Sequence, residues 1–173
     1  ENIQKTFNYW KSFFTLCPWH PHGLIQNSRI KGVLLDFDNT LYNYDMCNAH
    51  AKSEIIRKIS EDSNIPEESV RKAYEISRLN VKKDLENTGP SDSRILYIQK
   101  TLELLGLKNY MSKCIDYEDF FWKKFFEKLQ LFDGVMEFLA FTAKNKIKVC
   151  IISDMTTRMQ MAKIDYLGVE KYV

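Results

Sequence analysis

Two aspartates that are one residue apart, Asp36 and Asp38, follow directly after a short apolar run of the chain, Val33-Leu34-Leu35. Unbroken apolar runs of this length are typical of strands covered on both faces, as in parallel α/β sheets. Ligands bind such sheets beyond the carboxyl ends of the strands, so the sequence predicts a buried strand that ends in a reactive turn. The alternative interpretation is that the two aspartates only shape a turn or cap a helix.

A second buried strand is predicted over residues 147–153, where an apolar run that includes Cys150 ends at Ser153. Thr157 and Gln160 have the spacing of a capping box, which predicts a helix whose N-terminal N–H groups point toward Ser153. Crossover connections between parallel strands are right-handed and return the chain in the same direction. Ser153 is therefore predicted to lie at the same sheet edge as the two aspartates.

The types and order of these residues resemble the haloacid dehalogenase superfamily. Its first motif is a hydrophobic run followed by Asp-x-Asp-x-Thr-Leu, which corresponds here to Asp36, Asp38, Thr40 and Leu41. Its second motif is a serine or threonine that hydrogen-bonds phosphate, and Ser153 is similar to it in position. Members of the superfamily are mostly magnesium-dependent phosphatases.

The resemblance implies a role for each polar residue at this edge. Asp36 is expected to attack phosphorus and form an aspartyl-phosphate, and Asp38 is expected to act as general acid and then as general base. Mg²⁺ is the expected cofactor, held by the Asp36 carboxylate and the Asp38 backbone carbonyl, because a cation must offset the repulsion between carboxylate and phosphate. Thr40, Ser153 and Asp154 complete the expected phosphate-binding group.

Residues 44–130 lie between the two motifs and are predicted to form four amphipathic helices. The predicted segments are 49–59, Pro66 to about 79, Ser91 or Asp92 to Leu105, and about 116–130. An insertion of this size resembles the helical cap of one large branch of the superfamily, in which substrate specificity is expected to reside. Arg94 and Tyr97 are candidates for substrate contact there, although a solvated surface arginine is the favoured interpretation of Arg94.

The predicted fold class is α/β, with a haloacid dehalogenase-like Rossmannoid core of parallel strands and an inserted four-helix-bundle cap. The core is assigned to residues 30–43 and 131–173 and the cap to residues 44–130. The superfamily's third and fourth motifs, a lysine and one or two aspartates, are absent from this core, so the sheet is expected to be incomplete in this chain. Lys163 is not assigned to the third motif, because it lies within the helix after the second. A missing C-terminal half or a second copy of the chain is the expected partner.

The N-terminal segment, residues 1–29, is predicted to hold an amphipathic helix over 2–15 and then a loop. Cys17 and His20 in that loop have the spacing of half a metal knuckle, and they resemble the first half of the zinc loop in heptose bisphosphate phosphatases. Two ligands do not make a structural zinc site, so an ordinary loop is favoured over a zinc site.

The composition suits a globular protein with its own core, because 45% of the 173 residues are hydrophobic and the formal net charge is only +2. The near-balanced charge argues against nucleic acid as a partner. No apolar run approaches the roughly 20 residues that a membrane span needs, and no signal-peptide pattern opens the chain. Four scattered cysteines favour a reduced, cytoplasmic protein.

The expected activity is that of a magnesium-dependent phosphatase acting on a small phosphorylated metabolite, either a sugar phosphate or a nucleotide monophosphate. A non-catalytic binding or regulatory fragment is the alternative, and the absent third and fourth motifs favour it. A haloacid dehalogenase is less favoured, because the dehalogenases that this sequence resembles lack the second acid, which Asp38 supplies here.

Overall fold

The strand that carries the first motif pairs with the strand that carries the second. The structure, a computed structural model, describes residues 30–86, 88–108 and 110–173. Strands β1 (Gly32–Asp36) and β2 (Lys148–Ile152) are parallel neighbours, and their register pairs Asp36 with Ile152. Because the two strands are parallel, Ser153 leaves the sheet at the same edge as Asp36.

One face of this two-stranded sheet is covered by the described part of the chain and the other face is exposed. Leu35 and Val149 point to the covered face and are 7% and 8% exposed, whereas Leu34 and Ile152 are 69% and 55% exposed. Neighbouring residues of a strand point to opposite faces, so an apolar run does not show that both faces have a partner. The prediction that both strands are buried, with Cys150 inside, is wrong for the described residues, because Cys150 lies on the exposed face.

Four helices follow β1 in the described chain before it returns to the sheet. They are α1 (Tyr44–Ser63), α2 (Glu67–Asp84), α3 (Arg94–Leu104) and α4 (Met111–Phe126), and a 3-10 turn, Gly89–Asp92, precedes α3. This agrees with the four helices predicted for residues 44–130, but the bounds differ. Helix α1 begins at Tyr44 rather than at Ala49, because the Asn43 side chain accepts a hydrogen bond from the Met46 N–H and caps the helix.

The helices of the insertion pack around a cluster of aromatic rings. Helix α1 contacts α2 and α4, and α3 contacts α2 and α4, so the four form a bundle. Phe121, Trp122 and Phe125 on α4 are buried, and successive rings meet edge to face at centroid distances of 5.3 and 5.4 Å. This aromatic stripe is therefore part of the core.

The chain returns to the sheet beside the first motif. The Phe132 N–H donates a hydrogen bond of 2.9 Å to the Leu41 carbonyl oxygen, and α5 (Val135–Lys144) then packs against β2. Helix α5 begins directly after Gly134. Gly134 has a φ of 84°, a conformation that glycine adopts without strain.

Helix α6 (Thr157–Tyr166) follows β2, and a 3-10 turn, Glu170–Tyr172, packs against α5. Residues Lys31–Val173 form one compact unit. Within the described ranges, no helix is both long enough and apolar enough to cross a membrane. Residues 1–29, with the predicted helix and the Cys17/His20 loop, lie outside the described residues.

Candidate active site

The chain turns tightly after β1 and brings Thr40 back onto Asp36. The Leu41 N–H donates to the Phe37 carbonyl oxygen at 3.0 Å, and Asn39 adopts a left-handed conformation with a φ of 60°. This turn places the Thr40 hydroxyl 2.8 Å from Asp36 Oδ2, to which it donates a hydrogen bond. Thr40 therefore orients the Asp36 carboxylate, and its expected contact with phosphate stays a prediction.

An open cleft of about 510 Å³ lies at the carboxyl ends of the two strands. It is lined by Leu34, Leu35, Asp36, Ile152, Ser153 and Asp154. Asp36, Ser153 and Asp154 are exposed, so their polar groups are accessible to a ligand. The predicted meeting of Asp36 and Ser153 at one edge is what the structure shows. What these side chains bind stays a prediction.

The Asp38 carboxylate has more hydrogen-bond partners than the Asp36 carboxylate. Its Oδ1 accepts hydrogen bonds from the Tyr42 hydroxyl and, at 2.9 Å, from the Lys163 ammonium. Its Oδ2 lies 3.4 Å from the Gln160 side-chain amide nitrogen, which also donates to Ser153 Oγ at 2.6 Å. The Gln160 amide thus connects Asp38 to a residue that lines the cleft.

The ammonium that binds Asp38 is enclosed by protein. The Lys163 side chain is fully buried, and its Nζ lies 5.3 to 5.6 Å from the ring centroids of Tyr42, Tyr44 and Phe125. Burial lowers the pKa of Lys163, and the Asp38 carboxylate opposes that shift. Burial, together with the hydrogen bond to Asp38, raises the pKa of Tyr42, so its hydroxyl stays protonated and donates.

The predicted capping box at the start of α6 does not form. The residue that precedes the helix is Thr156, no side-chain hydrogen bond caps the helix, and Thr157 is its first residue. The Gln160 side chain is instead used at the site, where its amide donates to Ser153. A side chain that contacts the cleft and Asp38 is not free to fold back on its own helix.

Arg94 is part of the interior of the helical bundle and is not a solvated surface residue. It is 5% exposed, and its guanidinium donates to the Tyr44 hydroxyl, to Asn48 Oδ1 at 3.3 Å and to the Asp92 carbonyl oxygen at 2.7 Å. Tyr97 is equally buried and donates to the Ser91 carbonyl oxygen at 2.6 Å. Both side chains bind other parts of the bundle, and their contact with substrate stays a prediction.

The oxygen donors at the strand end are of the kind that Mg²⁺ prefers. The Asp36 carboxylate is exposed at the cleft, and the Asp38 backbone carbonyl lies in the turn that follows β1. Within the described ranges, however, no group of three or more His, Cys, Asp or Glu side chains is arranged to hold a metal ion. The described residues therefore fit part of a magnesium site.

The predicted site residues did not include three residues that contact Asp38. These are Tyr42, Gln160 and Lys163. Gln160 and Lys163 are three positions apart on α6 and so share one face of the helix. That helix begins just beyond the carboxyl end of β2, where ligands bind in parallel sheets. This combination of helix position and spacing is the signal that could have identified them.

The fold and this strand-end constellation together define a class of protein. Residues 30–173 match the haloacid dehalogenase-like hydrolase family, and the chain belongs to that family. This confirms the resemblance seen in the motifs around Asp36 and Ser153.

Particular relatives are similar over most of the described chain. The chain is 31% identical over 142 residues to the ribulose-1,5-bisphosphate 5-phosphatase of Halopiger xanaduensis. The aligned residues cover 82% of this chain and 59% of that protein. It is also similar in fold to the HAD-hydrolase YfnB of Bacillus subtilis, in a structure bound to magnesium, with a TM-score of 0.51 and 18% identity. That similarity covers 84% of this chain and 63% of YfnB. The chain thus spans less than two thirds of either relative.

Proposed function

We propose that this chain carries the nucleophile and the general acid–base of a phosphatase that hydrolyses a small phosphorylated metabolite. The observation that carries the proposal is a pair of carboxylates at one strand end that differ in exposure and in hydrogen-bond partners. Asp36 is exposed at the cleft and accepts a hydrogen bond from Thr40 on one oxygen, whereas Asp38 accepts hydrogen bonds from the buried Lys163 and from Tyr42. Ser153 supplies a hydroxyl at the same edge, and membership of a hydrolase family supports the same chemistry.

The reaction proceeds in two displacements at phosphorus. Asp36 attacks through Oδ1, since Thr40 holds Oδ2, and the bond between phosphorus and the leaving oxygen breaks. Asp38 gives its proton to that oxygen, which departs as an alcohol and leaves an aspartyl-phosphate. Water then attacks phosphorus and gives a proton to Asp38. The bond between Asp36 and phosphorus breaks, which releases inorganic phosphate and restores both carboxyl groups.

Magnesium is the proposed cofactor, held by the Asp36 carboxylate and the Asp38 carbonyl. Bound Mg²⁺ supplies positive charge that offsets the repulsion between a carboxylate nucleophile and an anionic phosphate. Ser153 is proposed to hydrogen-bond a phosphate oxygen from the opposite strand. The Gln160 amide, which donates to Ser153 Oγ at 2.6 Å, keeps the serine hydroxyl hydrogen available for that contact.

A sugar phosphate is the substrate class we favour over a nucleotide monophosphate. The similarity to the ribulose-1,5-bisphosphate 5-phosphatase of Halopiger xanaduensis supports this choice. Asp38 argues against haloacid dehalogenase activity, because halide is a leaving group that needs no proton from a second acid.

The proposal is tested with the full-length protein that contains this sequence. Phosphate release with Mg²⁺ is measured for ribose 5-phosphate, ribulose 1,5-bisphosphate, AMP and p-nitrophenyl phosphate. Asp36→Asn is expected to abolish release, because an amide is a far poorer nucleophile, and Asp38→Asn to slow it by about 10²- to 10⁴-fold. The control is Asp165→Asn, which changes an exposed aspartate on α6 and leaves the rate unaltered. Full activity in a pure Asp36→Asn preparation would refute the phosphatase function.

A further inference from the structure

The two oxygens of Asp38 have unequal surroundings. Oδ1 accepts from two donors, the Tyr42 hydroxyl and the Lys163 ammonium at 2.9 Å. Oδ2 has one contact, from the Gln160 amide at 3.4 Å, which is long for a hydrogen bond. Because two donors already point at Oδ1, a proton on that oxygen would displace one of them. Oδ2 is therefore the oxygen available for proton exchange.

Lys163 has little freedom to leave Asp38. Its side chain is fully buried, and its ammonium is surrounded by the rings of Tyr42, Tyr44 and Phe125, which come from the turn after β1, from α1 and from α4. A buried ammonium requires an acceptor, and Asp38 is the carboxylate within ion-pair distance among the described residues. The position of this lysine is thus set by three elements at once.

The position of Gln160 shows the direction in which Oδ2 faces. The amide nitrogen of Gln160 donates at 2.6 Å to Ser153 Oγ and lies 3.4 Å from Asp38 Oδ2. Oδ2 is therefore on the side of Asp38 that faces Ser153, which lines the cleft. A leaving group whose phosphate contacts Ser153 and Asp36 would lie on this side.

We propose that Lys163 is a positioning residue that, through its bond to Oδ1, holds the Asp38 carboxyl with Oδ2 toward the leaving group. The proposal rests on the proposed function, because it assigns Lys163 a part in the acid step of that reaction. The competing role is purely structural, in which the ion pair only anchors α6 to the turn after β1.

The two roles differ in their dependence on the leaving group. An alkoxide needs a proton to depart, whereas p-nitrophenolate is a stable anion and needs little help. In the full-length protein, Lys163→Met is expected to lower kcat/KM by about 10- to 100-fold for the best alkyl phosphate of the panel, and by less than about threefold for p-nitrophenyl phosphate. The control is Lys144→Met, at the exposed end of α5, which leaves both values unchanged.

A second variant keeps the test usable if Lys163→Met fails to fold. Tyr42→Phe removes the other donor to Oδ1 and keeps the ring, and it is expected to give the same selective loss at smaller size. Its control is Tyr74→Phe, in the buried part of the bundle. In addition, Lys163→Met should cause no further loss in an Asp38→Asn background, because the residue acts through Asp38.

The outcomes separate this proposal from the proposed function. If the wild-type protein hydrolyses none of the phosphates, the proposed function fails. If the wild-type protein is active, two results would overturn the positioning role. The first is that folded Lys163→Met or Tyr42→Phe lowers kcat/KM by the same factor for alkyl and aryl phosphates. The second is that kcat/KM for the alkyl phosphate does not fall at all. Multiplicative losses in the Asp38→Asn background overturn the positioning role as well.

Discussion

The two aspartates of the first motif have different neighbours. Asp36 is exposed at the cleft and accepts a hydrogen bond from Thr40 on Oδ2. Asp38 accepts hydrogen bonds from Tyr42, Lys163 and Gln160. These surroundings suit the roles proposed for the two residues, because a nucleophile needs one oxygen open to the substrate and a general acid needs a defined orientation.

At this scale we expect Thr40→Val to lower kcat while KM changes little, because valine has the same shape but cannot donate to Asp36 Oδ2. A hydrogen bond to a charged group contributes about 1.5 to 3 kcal/mol, which corresponds to a loss of roughly tenfold or more in rate. Steady-state kinetics with the best sugar phosphate provides the measurement. Thr40→Ser, which keeps the hydroxyl, is the matched control. An unchanged kcat in Thr40→Val would show that the Thr40 bond has no part in the reaction.

At the scale of elements, the sheet and the helical bundle differ in how far they bury their apolar residues. Strand β2 leaves Cys150 and Ile152 exposed on one face. Helix α1 buries Cys47 completely, and burial raises the pKa of the Cys47 thiol to about 11. The two cysteines therefore report on the two environments.

We expect iodoacetamide at pH 8 to alkylate Cys150 at least about tenfold faster than Cys47 in the folded protein. The thiolate is the reactive form, and a raised pKa keeps Cys47 protonated below about pH 11, in addition to the steric protection of burial. Mass spectrometry of the labelled peptides gives the two rates. In urea the rates should converge, which serves as the control. Equal rates in the native protein would contradict the burial of α1 or the exposure of β2.

At the scale of the whole molecule, Lys31–Val173 forms one unit in which the helical bundle and the sheet meet around Lys163. The rings of Tyr44 on α1 and Phe125 on α4 face an ammonium that is carried by α6. Away from this junction, Leu34 and Ile152 form an exposed apolar patch on the sheet. Exposed apolar surface beside a strand edge favours association with other chains.

We therefore expect the 173-residue polypeptide to associate as its concentration rises. Sedimentation velocity over a range of concentrations measures this, and Leu34→Thr combined with Ile152→Thr should shift the protein toward the monomer. Leu79→Thr combined with Ile115→Thr, which alters exposed apolar residues of the helical bundle, is the control and should leave association unchanged. A polypeptide that stays monomeric at every concentration would be evidence against association through the exposed face of the sheet.

The sequence by itself determined the features that depend on neighbouring residues. The run into Asp36 and Asp38 and the run into Ser153 each predicted a strand with a polar end. A crossover connection returns the chain in the same direction, which placed both ends at one edge. The helical segments between residues 44 and 130 were recognised from their periodicity and their breakers. These are local or topological rules, so one chain is enough to apply them.

Only the tertiary structure decided which faces meet. Helical spacing places Gln160 and Lys163 on one side of α6, but it does not say that this side lies against Asp38. The same limit applies to Arg94, which the bundle encloses, and to Leu34, which the described residues leave exposed. An apolar or charged side chain is compatible with several environments. Which environment it enters depends on packing between segments that are far apart in sequence, and Asp38 and Lys163 are 125 residues apart.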